Sequence, residues 1–393
     1  RQVGRMNDML NNIICDTPCF QGVSLLPTTE LRSGITTGSC ATAAAKAAVL
    51  AWQGTVAFVV AIDTPTGKQL SIPVIDAATL PEGGRATVIK DAGDDPDITH
   101  GVTVAVEVKI CPGDTAIRFA AGEGIGRVTL PGLQIPVGEP AINPAPRRMI
   151  ETAIRPLLPA GTGAVVTVSI PGGEALAKRT LNPTLGIVGG LSIIGTTGIV
   201  EPMSEDAFKS SLKPQISVAK ALGFSSVVLV PGKIGQDFAV QRYGLPAAAV
   251  VQMSNFIGFM LESAVEYDVK EVLLFGHLGK LVKVAAGIFH THNRMADARM
   301  ETLAAYMASA GAPQTAVQAV LGCMTTEAAI PILEEYGLQA VYSVLAERAS
   351  ARAMRYVFGD LTVGTAIVTM KGEMLGMDDA ARRIGGRLGW NIG

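Results

Sequence analysis

Short apolar runs in the second half of the chain predict a buried parallel sheet. Four segments are almost continuously apolar: Ser226–Val230, Ala248–Met253, Glu271–Phe275 and Gly364–Met370. Continuous runs of this length are typical of strands that are covered on both faces. Helical patterns separate them, as in Met300–Ala310, where apolar residues recur at intervals of three and four. The alternation predicts a Rossmann-like three-layer α/β domain with a mainly parallel sheet.

The first half of the chain has a different pattern. Apolar and polar residues alternate from Val102 to Ile110, which is typical of a strand with one buried face. The alanine-rich stretch Thr37–Trp52 predicts a helix, with Ser39 or Thr37 as its capping residue. Strands, helices and Gly/Pro-rich loops together predict an α+β domain with a mixed sheet.

These patterns divide the chain into three segments. Residues 1–30 are predicted to be an N-terminal arm, which could be ordered or disordered. Residues 31–185 are predicted to be the α+β domain. Residues 186–393 are predicted to be the Rossmann-like α/β domain.

Composition narrows the class of ligand. The chain has 393 residues, 48% hydrophobic and 17% charged, and no apolar run long enough to span a bilayer, so no membrane contact is expected. A net charge of −2 provides no general basic field for nucleic acid. Five scattered cysteines favour a reducing cytoplasm over a disulfide framework. An acidic small molecule remains a suitable ligand.

The residues that follow the predicted strands favour a small-molecule crevice. Ligands of open parallel sheets bind beyond the carboxyl ends of the strands. Pro231-Gly232, Ser254-Asn255 and Gly276-His277 follow three of these strands. Glycine lets the backbone approach a ligand, and helix N-termini offer free N–H groups. Each pair could also simply end a strand or cap a helix, but their occurrence at three strand ends of one sheet favours a crevice.

The sequence excludes two nucleotide-binding motifs, and it leaves several roles possible for one acidic loop. Gly276–Lys280 lacks the spacer and the hydroxyl residue of a phosphate loop, and Gly122–Gly126 lacks the spacing of a dinucleotide fingerprint. Lys90–His100 contains four aspartates. They could bind a divalent cation, form a solvated turn, or accept hydrogen bonds from a ligand.

The densest polar segment runs from Phe289 to Glu301. On a helix, Arg294, Asp297 and Glu301 would share one face, as an ion network or as a site that positions a base. His290 and His292 would point the same way on an extended backbone. They lack a third metal ligand, which leaves a general base, a substrate contact, or capping and packing as their roles.

Four stretches resemble the motifs of one family, the cobalt-precorrin-5B C1-methyltransferases: Gly34–Ala48, Gly189–Ser204, Met253–Phe256 and Gly276–Thr302. The resemblance covers residues 31–376 in order. It implies methylation of C1 of cobalt-precorrin-5B by S-adenosylmethionine, giving cobalt-precorrin-6A in anaerobic cobalamin biosynthesis. It also implies two domains, the second Rossmann-like but outside the common methyltransferase topology.

The resemblance and the chemistry of the reaction together suggest roles for particular residues. A proton must leave the substrate, so the candidate catalytic residues are His290, His292 and Asp297. The expected substrate-binding residues are Thr36, Thr37, Ser39, Lys46, Arg147, Gly195, Thr196, Thr197, Lys280 and Arg294. S-adenosylmethionine is expected at Pro231, Gly232, Ser254, Asn255, Gly276 and His277. No protein-bound metal is expected, because cobalt arrives inside the substrate.

Partners and alternatives complete the expectations. The expected small-molecule partner is the tetrapyrrole substrate. Transient contacts with neighbouring pathway enzymes are expected when the substrate is handed over. The chain itself is expected to form a homo-oligomer, taken as a dimer. One alternative is a hydrolase at a neighbouring step of ring contraction, for which Ser39, Cys40 and Ser192 are the available nucleophiles. Another is a tetrapyrrole carrier without catalysis.

Overall fold

The first part of the chain is an α+β unit. The computed structural model describes residues 31–392, and the arm predicted for residues 1–30 lies outside them. The strands of this part are β1 Gly34–Ile35, β2 Val59–Asp63, β3 Gln69–Pro73, β4 Asp76–Leu80, β5 Gly83–Ile89, β6 Thr103–Pro112, β7 Ile117–Ala121, β8 Arg127–Val128, β9 Thr162–Ser169, β10 Ile187–Val188 and β11 Ile199–Val200. The helices are α1 Thr37–Trp52, α2 Pro144–Ile154 and α3 Gly173–Ala177.

A five-stranded mixed sheet lies under α1. The strand order is β4-β5-β6-β9-β7, with β7 and β9 parallel and the other neighbours antiparallel. The alternation predicted from Val102 to Ile110 is confirmed, because every second residue from Val104 to Ile110 is buried and the residues between them are not. α1 lies very close to the sheet: a Cβ at Gly84 would be 2.0 Å from the carbonyl oxygen of Ala48. Alanines on the helix and glycine on the strand permit this approach.

The start of α1 differs from the prediction. Thr36, rather than Ser39 or Thr37, is the N-cap, and its Oγ1 accepts a hydrogen bond from the backbone N–H of Ser39 at 3.1 Å. Thr36 has the extended backbone that an N-cap requires.

The second part has the predicted α/β alternation. Its strands are β12 Ser226–Val230, β13 Val250–Gln252, β14 Glu271–His277, β15 Thr362–Val368 and β16 Met374–Met377. Its helices are α4 Glu205–Leu212, α5 Pro214–Ala221, α6 Lys233–Asp237, α7 Ile257–Glu266, α8 Leu278–Ala285, α9 Arg299–Ser309, α10 Gln314–Leu321, α11 Thr326–Glu335, α12 Ala340–Tyr356 and α13 Asp379–Arg387. None of the helices described is long and apolar enough to cross a membrane.

The second sheet is mainly parallel and buried on both faces. Its order is β13-β12-β14-β15-β16, and only β16 runs antiparallel to its neighbour. Val227 and Leu229 belong to the apolar cluster that contains residues of α7 to α12. Val228 and Val230 belong to the cluster on the opposite face, with residues of α13. The predicted three-layer arrangement is confirmed, because side chains alternate between these two clusters.

The segment that joins the two parts pairs with the first one. β10 pairs with β8, and β11 pairs with β1 through Gly34–Val200 and Ile35–Ile199. The position of a domain boundary near residue 185 stays a prediction.

Close packing of α13 on β15 provides a test of the fold. A Cβ at Gly364 would lie 2.3 Å from the backbone nitrogen of Ala381, so Gly364→Ala should lower the free energy of unfolding by about 1–3 kcal/mol or more. Gly386 lies on the exposed side of α13 with no atom within 4 Å of its Cβ position. Gly386→Ala should leave stability unchanged or raise it by up to about 1 kcal/mol. Urea denaturation of both variants measures the difference, and equal stabilities would contradict this packing.

Candidate functional site

The order of the strands creates a crevice next to β12. The chain leaves β12 for β13 on one side and then returns to β14 on the other side of β12. Crossovers that diverge in this way leave room for a ligand at the carboxyl ends of the two strands. Pro231 follows β12, and Gly276 belongs to the end of β14. A Cβ at Gly276 would lie 3.0 Å from Cδ and Cγ of Pro231, so the structure brings these two predicted segments together.

Gly232 and His277 both have extended backbone at this edge. No atom lies within 4 Å of a Cβ placed on Gly232, so open space adjoins its backbone. His277 is the N-cap of α8 and makes no capping hydrogen bond with its side chain. Burial, and then the charges of Lys280 and Arg299, lower the pKa of His277 to about 4. His277 is therefore neutral near pH 7.

The end of β13 is joined to the polar segment. The backbone carbonyl of Asn255 accepts a hydrogen bond from the N–H of Thr291 at 2.9 Å. The side-chain oxygen of Asn255 accepts one from Lys280. Ser254 has a φ of 52°, a left-handed conformation that is uncommon outside glycine. The predicted cofactor pair Ser254-Asn255 thus adjoins the segment that contains the predicted catalytic residues.

His290 and His292 lie beside each other, with ring centroids 6.5 Å apart. His290 is partly buried against the ring of Phe256, at a centroid distance of 5.0 Å. Its Nε2 lies 3.9 Å from a carboxylate oxygen of Glu205, in the first turn of α4. His292 is exposed, and its Nδ1 accepts a hydrogen bond from the N–H of Arg294. Of the two imidazoles, His290 is the one with a nearby carboxylate.

The helical face predicted for Arg294, Asp297 and Glu301 is wrong. α9 begins at Arg299, so Arg294 and Asp297 precede the helix. Asp297 instead accepts two hydrogen bonds from Arg299, at 2.7 and 2.8 Å. This pairing lowers the pKa of Asp297, which makes Asp297 a weaker base than an unpaired carboxylate.

The predicted tetrapyrrole-binding residues of the first part also lie together. Thr37 Oγ1 donates to the carbonyl of Ile194 at 3.1 Å, and Ser39 Oγ donates to the carbonyl of Gly198 at 2.6 Å. These two hydroxyls are buried and used within the protein. They hold the loop 194–198 against the start of α1.

The loop itself offers the accessible groups. A Cβ at Gly195 would lie 2.3 Å from Oγ1 of Thr36, so only glycine fits beside the N-cap of α1. Thr196 and Thr197 are exposed. Thr197 Oγ1 donates to the carbonyl of Ile199 at 2.9 Å, which leaves Thr196 as the hydroxyl of this motif that is available to a ligand.

Two predicted basic residues are bound to protein groups. Lys46 Nζ donates to the carbonyl of Ala61 at 2.7 Å. Arg147 donates to the carbonyls of Ile142 and Pro140, at 2.8 and 3.1 Å, and lies over the ring of Phe119. Lys46 connects α1 to β2, and Arg147 holds the loop before α2. The role of both side chains in binding substrate stays a prediction.

The acidic loop is a turn whose aspartates are hydrogen-bonded to other protein groups. Its four aspartates bind the following protein groups: Asp91 binds Arg32, Asp94 binds the N–H of Arg32, Asp95 binds the N–H of Met203, and Asp97 binds Lys90 and Thr99. Within residues 31–392 no group of three or more His, Cys, Asp or Glu side chains could hold a metal ion. The hydrogen bonds favour the turn over a cation site, and Asp95 joins the loop to the segment before α4.

Three residues of this region were missed by the sequence patterns. Glu205 contacts His290 but is 85 positions away, and its only sequence signal is its place after the capping residue Ser204. Lys283 is fully buried in α8. Thr291 is also fully buried, and its Oγ1 has no hydrogen-bond partner. Neither residue has a distinguishing sequence signal.

Comparison with known proteins identifies the family. The CbiD family model matches residues 25–202, and the model of the CbiD C-terminal domain matches residues 290–379. A protein of Moorella thermoacetica named cobalt-precorrin-5B C(1)-methyltransferase is 52% identical over 92% of this chain and 99% of its own length. The chain belongs to the CbiD family.

Two further proteins match most of the chain. A protein of Desulfitobacterium hafniense with the same name is 47% identical over 90% of this chain and 92% of its own length. The crystal structure of a cobalamin biosynthesis protein (cbiD) from Archaeoglobus fulgidus is 27% identical and covers 69% of this chain and 84% of that one, with a TM-score of 0.37.

The lowered pKa of His277 makes stability depend on pH in a defined direction. Below pH 6.5 the unfolded chain takes up a proton at this residue, while the folded chain does so only near pH 4. The free energy of unfolding should therefore fall between pH 7 and pH 4, by about 1–3 kcal/mol from this group.

His277→Asn should remove that part of the acid sensitivity. The exposed His292→Asn is the matched control and should keep the wild-type pH dependence. Denaturant titrations between pH 7 and pH 4 measure both slopes. Identical slopes for His277→Asn and wild type would contradict a buried neutral imidazole.

Proposed function

We propose that this chain methylates C1 of cobalt-precorrin-5B, with S-adenosylmethionine as the methyl donor, and forms cobalt-precorrin-6A. The observation that carries the proposal is the 52% identity to the Moorella thermoacetica methyltransferase over 99% of that protein's length. The strand order supports it, because open parallel sheets bind small molecules where successive connections leave a strand on opposite sides, as they do at β12.

The residues around the crevice fit S-adenosylmethionine. Gly232 adjoins open space, and Gly276 presents no side chain. Thr291 Oγ1 is a buried hydroxyl without a partner next to Asn255. A neutral His277 is compatible with a sulfonium, whereas a charged imidazolium would repel it. When bound, the donor supplies a methyl group on a positively charged sulfur.

The tetrapyrrole is proposed to lie against Thr36–Ser39, Gly195–Gly198 and His290–Arg294. Gly198 contacts the start of α1, and Glu205 contacts His290. Seven residues of extended chain span at most about 25 Å, which limits the distance between the two sets of residues. Arg294 is exposed and suited to the acetate and propionate groups of the substrate, whereas Lys280 would have to exchange its hydrogen bonds to Asn255 and Thr291 for them.

The protein's own chemistry consists of orientation and proton removal. Holding the reacting carbon and the methyl group in line removes most of the entropic barrier. His290 is the best-placed base, because Glu205 would compensate the charge that the imidazole gains with a proton. Asp297 is already paired with Arg299 and contributes less as a base.

None of the three nucleophiles considered for the hydrolase alternative is activated. Burial raises the pKa of the Cys40 thiol to about 12, so almost no thiolate forms near pH 7. Ser39 Oγ is buried and donates to Gly198, and Ser192 Oγ donates to Asn182. No imidazole activates either hydroxyl within the part of the chain that the structure describes.

Anaerobic transfer of a labelled methyl group from S-adenosylmethionine to cobalt-precorrin-5B tests the proposal. We expect a tetrapyrrole product that is one methyl group heavier. S-adenosylhomocysteine should also raise the melting temperature, because it binds the folded state. A chain that binds the intact tetrapyrrole without any shift by S-adenosylhomocysteine or any transfer would instead be a carrier.

His290→Ala should reduce kcat by about 10²–10⁴-fold, the usual contribution of a general base. Glu205→Gln should have a smaller effect in the same direction, because the imidazole remains. The same Glu→Gln change at the exposed Glu301 in α9 is the control and should leave kcat unchanged. Single-turnover methyl transfer measures all three. A His290→Ala variant with wild-type kcat would remove His290 from the mechanism.

A further inference from the structure

Lys283 is a fully buried cation whose hydrogen bonds all go to one segment. Its side chain lies in α8 and has no exposed surface. Nζ donates to the carbonyl of Thr291 at 3.2 Å, to Oδ1 of Asn293 at 2.7 Å and to the carbonyl of Ala296 at 2.9 Å. An ammonium group has three donors and no acceptor, so these acceptors use its full capacity.

A buried lysine costs free energy at this position, because its charge is removed from water. Its ammonium group makes no hydrogen bond to a carboxylate. The charge of Asp297 acts on the pKa of Lys283, but this carboxylate is itself paired with Arg299. Burial lowers the pKa of Lys283, which reflects the cost of taking the charge out of water. An apolar side chain of similar volume is often at least as stabilising as a buried charge. The specific effect of the lysine is to fix one conformation of residues 291–296.

That conformation determines where the two histidines lie. His292 stands between two of the acceptors, Thr291 and Asn293. His290 directly precedes the first acceptor and forms a β-bridge with Phe256. The histidines are therefore held between the bridge on one side and the ammonium group of Lys283 on the other.

We propose that Lys283 is a positioning residue for the methyl transfer, holding the backbone of residues 291–296 so that His290 and His292 keep their place beside the crevice. This rests on the proposed function for its catalytic consequence, but the positioning itself can be measured without substrate. Lys283 acts through the histidines and contacts neither the methyl donor nor the tetrapyrrole.

Lys283→Met tests the proposal with a side chain of similar length. We expect kcat to fall at least 10-fold, and amide hydrogen exchange in residues 289–298 to accelerate at least 10-fold. The stoichiometry of S-adenosylhomocysteine binding at saturation should equal that of wild type, which shows that the folded fraction is unchanged. Lys270→Met, at the exposed opposite end of β14, is the matched control and should change none of these quantities.

Asn293→Ala is the second variant, because it removes one acceptor from an exposed position without opening the core. It should lower kcat by about threefold to tenfold, and the double variant should be no worse than Lys283→Met alone, since both remove the same contact. Wild-type exchange rates in residues 289–298 for both variants, or a lower kcat matched by a lower binding stoichiometry, would overturn the positioning role. If wild-type protein transfers no methyl group, the proposed function fails, and the exchange measurement still decides the role of Lys283.

Discussion

The return of the chain across β12 is the constraint on which the rest of the site depends. Because β13 and β14 lie on opposite sides of β12, the connections that follow β12 and β14 lead away from each other, which is the arrangement at which open parallel sheets bind ligands. Gly276 is small enough for Pro231 to pack against it. α8 begins directly after β14, so its two lysines, and the polar segment bound to them, are positioned by the same strand order.

The lysines and the arginine near the polar segment determine the protonation states of the neighbouring ionisable groups. Lys283 and Arg299 both lower the pKa of one carboxylate, Asp297, which pairs with Arg299. Lys280 and Arg299, together with burial, keep His277 neutral. Asp297 is held ionised, while His290 has a carboxylate of its own on α4. Neighbouring groups thus differ in charge because their partners differ, which is how acid and base roles are distributed in many sites.

Burial patterns could be predicted from the sequence, but contacts between distant residues could not. The continuous apolar run Ser226–Val230 predicted a strand covered on both faces, because each of its residues must avoid water. No local pattern indicates that Glu205 reaches His290. Asp297 was assigned to a helical face because spacing alone does not show where a helix begins. The motif at Thr36–Ser39 was noted, yet only the fold shows that its buried hydroxyls bind the loop 194–198.

The segment from Ile194 to Glu205 links the two halves of the proposed site. At its first end the carbonyl of Ile194 accepts a hydrogen bond from Thr37, and at its last end Glu205 faces His290. Between them, β11 pairs with β1, and the N–H of Met203 donates to Asp95. Because so many of its residues are held, the exposed threonines of the loop cannot shift far without breaking contacts near α1 or the imidazole. Such rigidity suits a reaction whose rate depends on alignment.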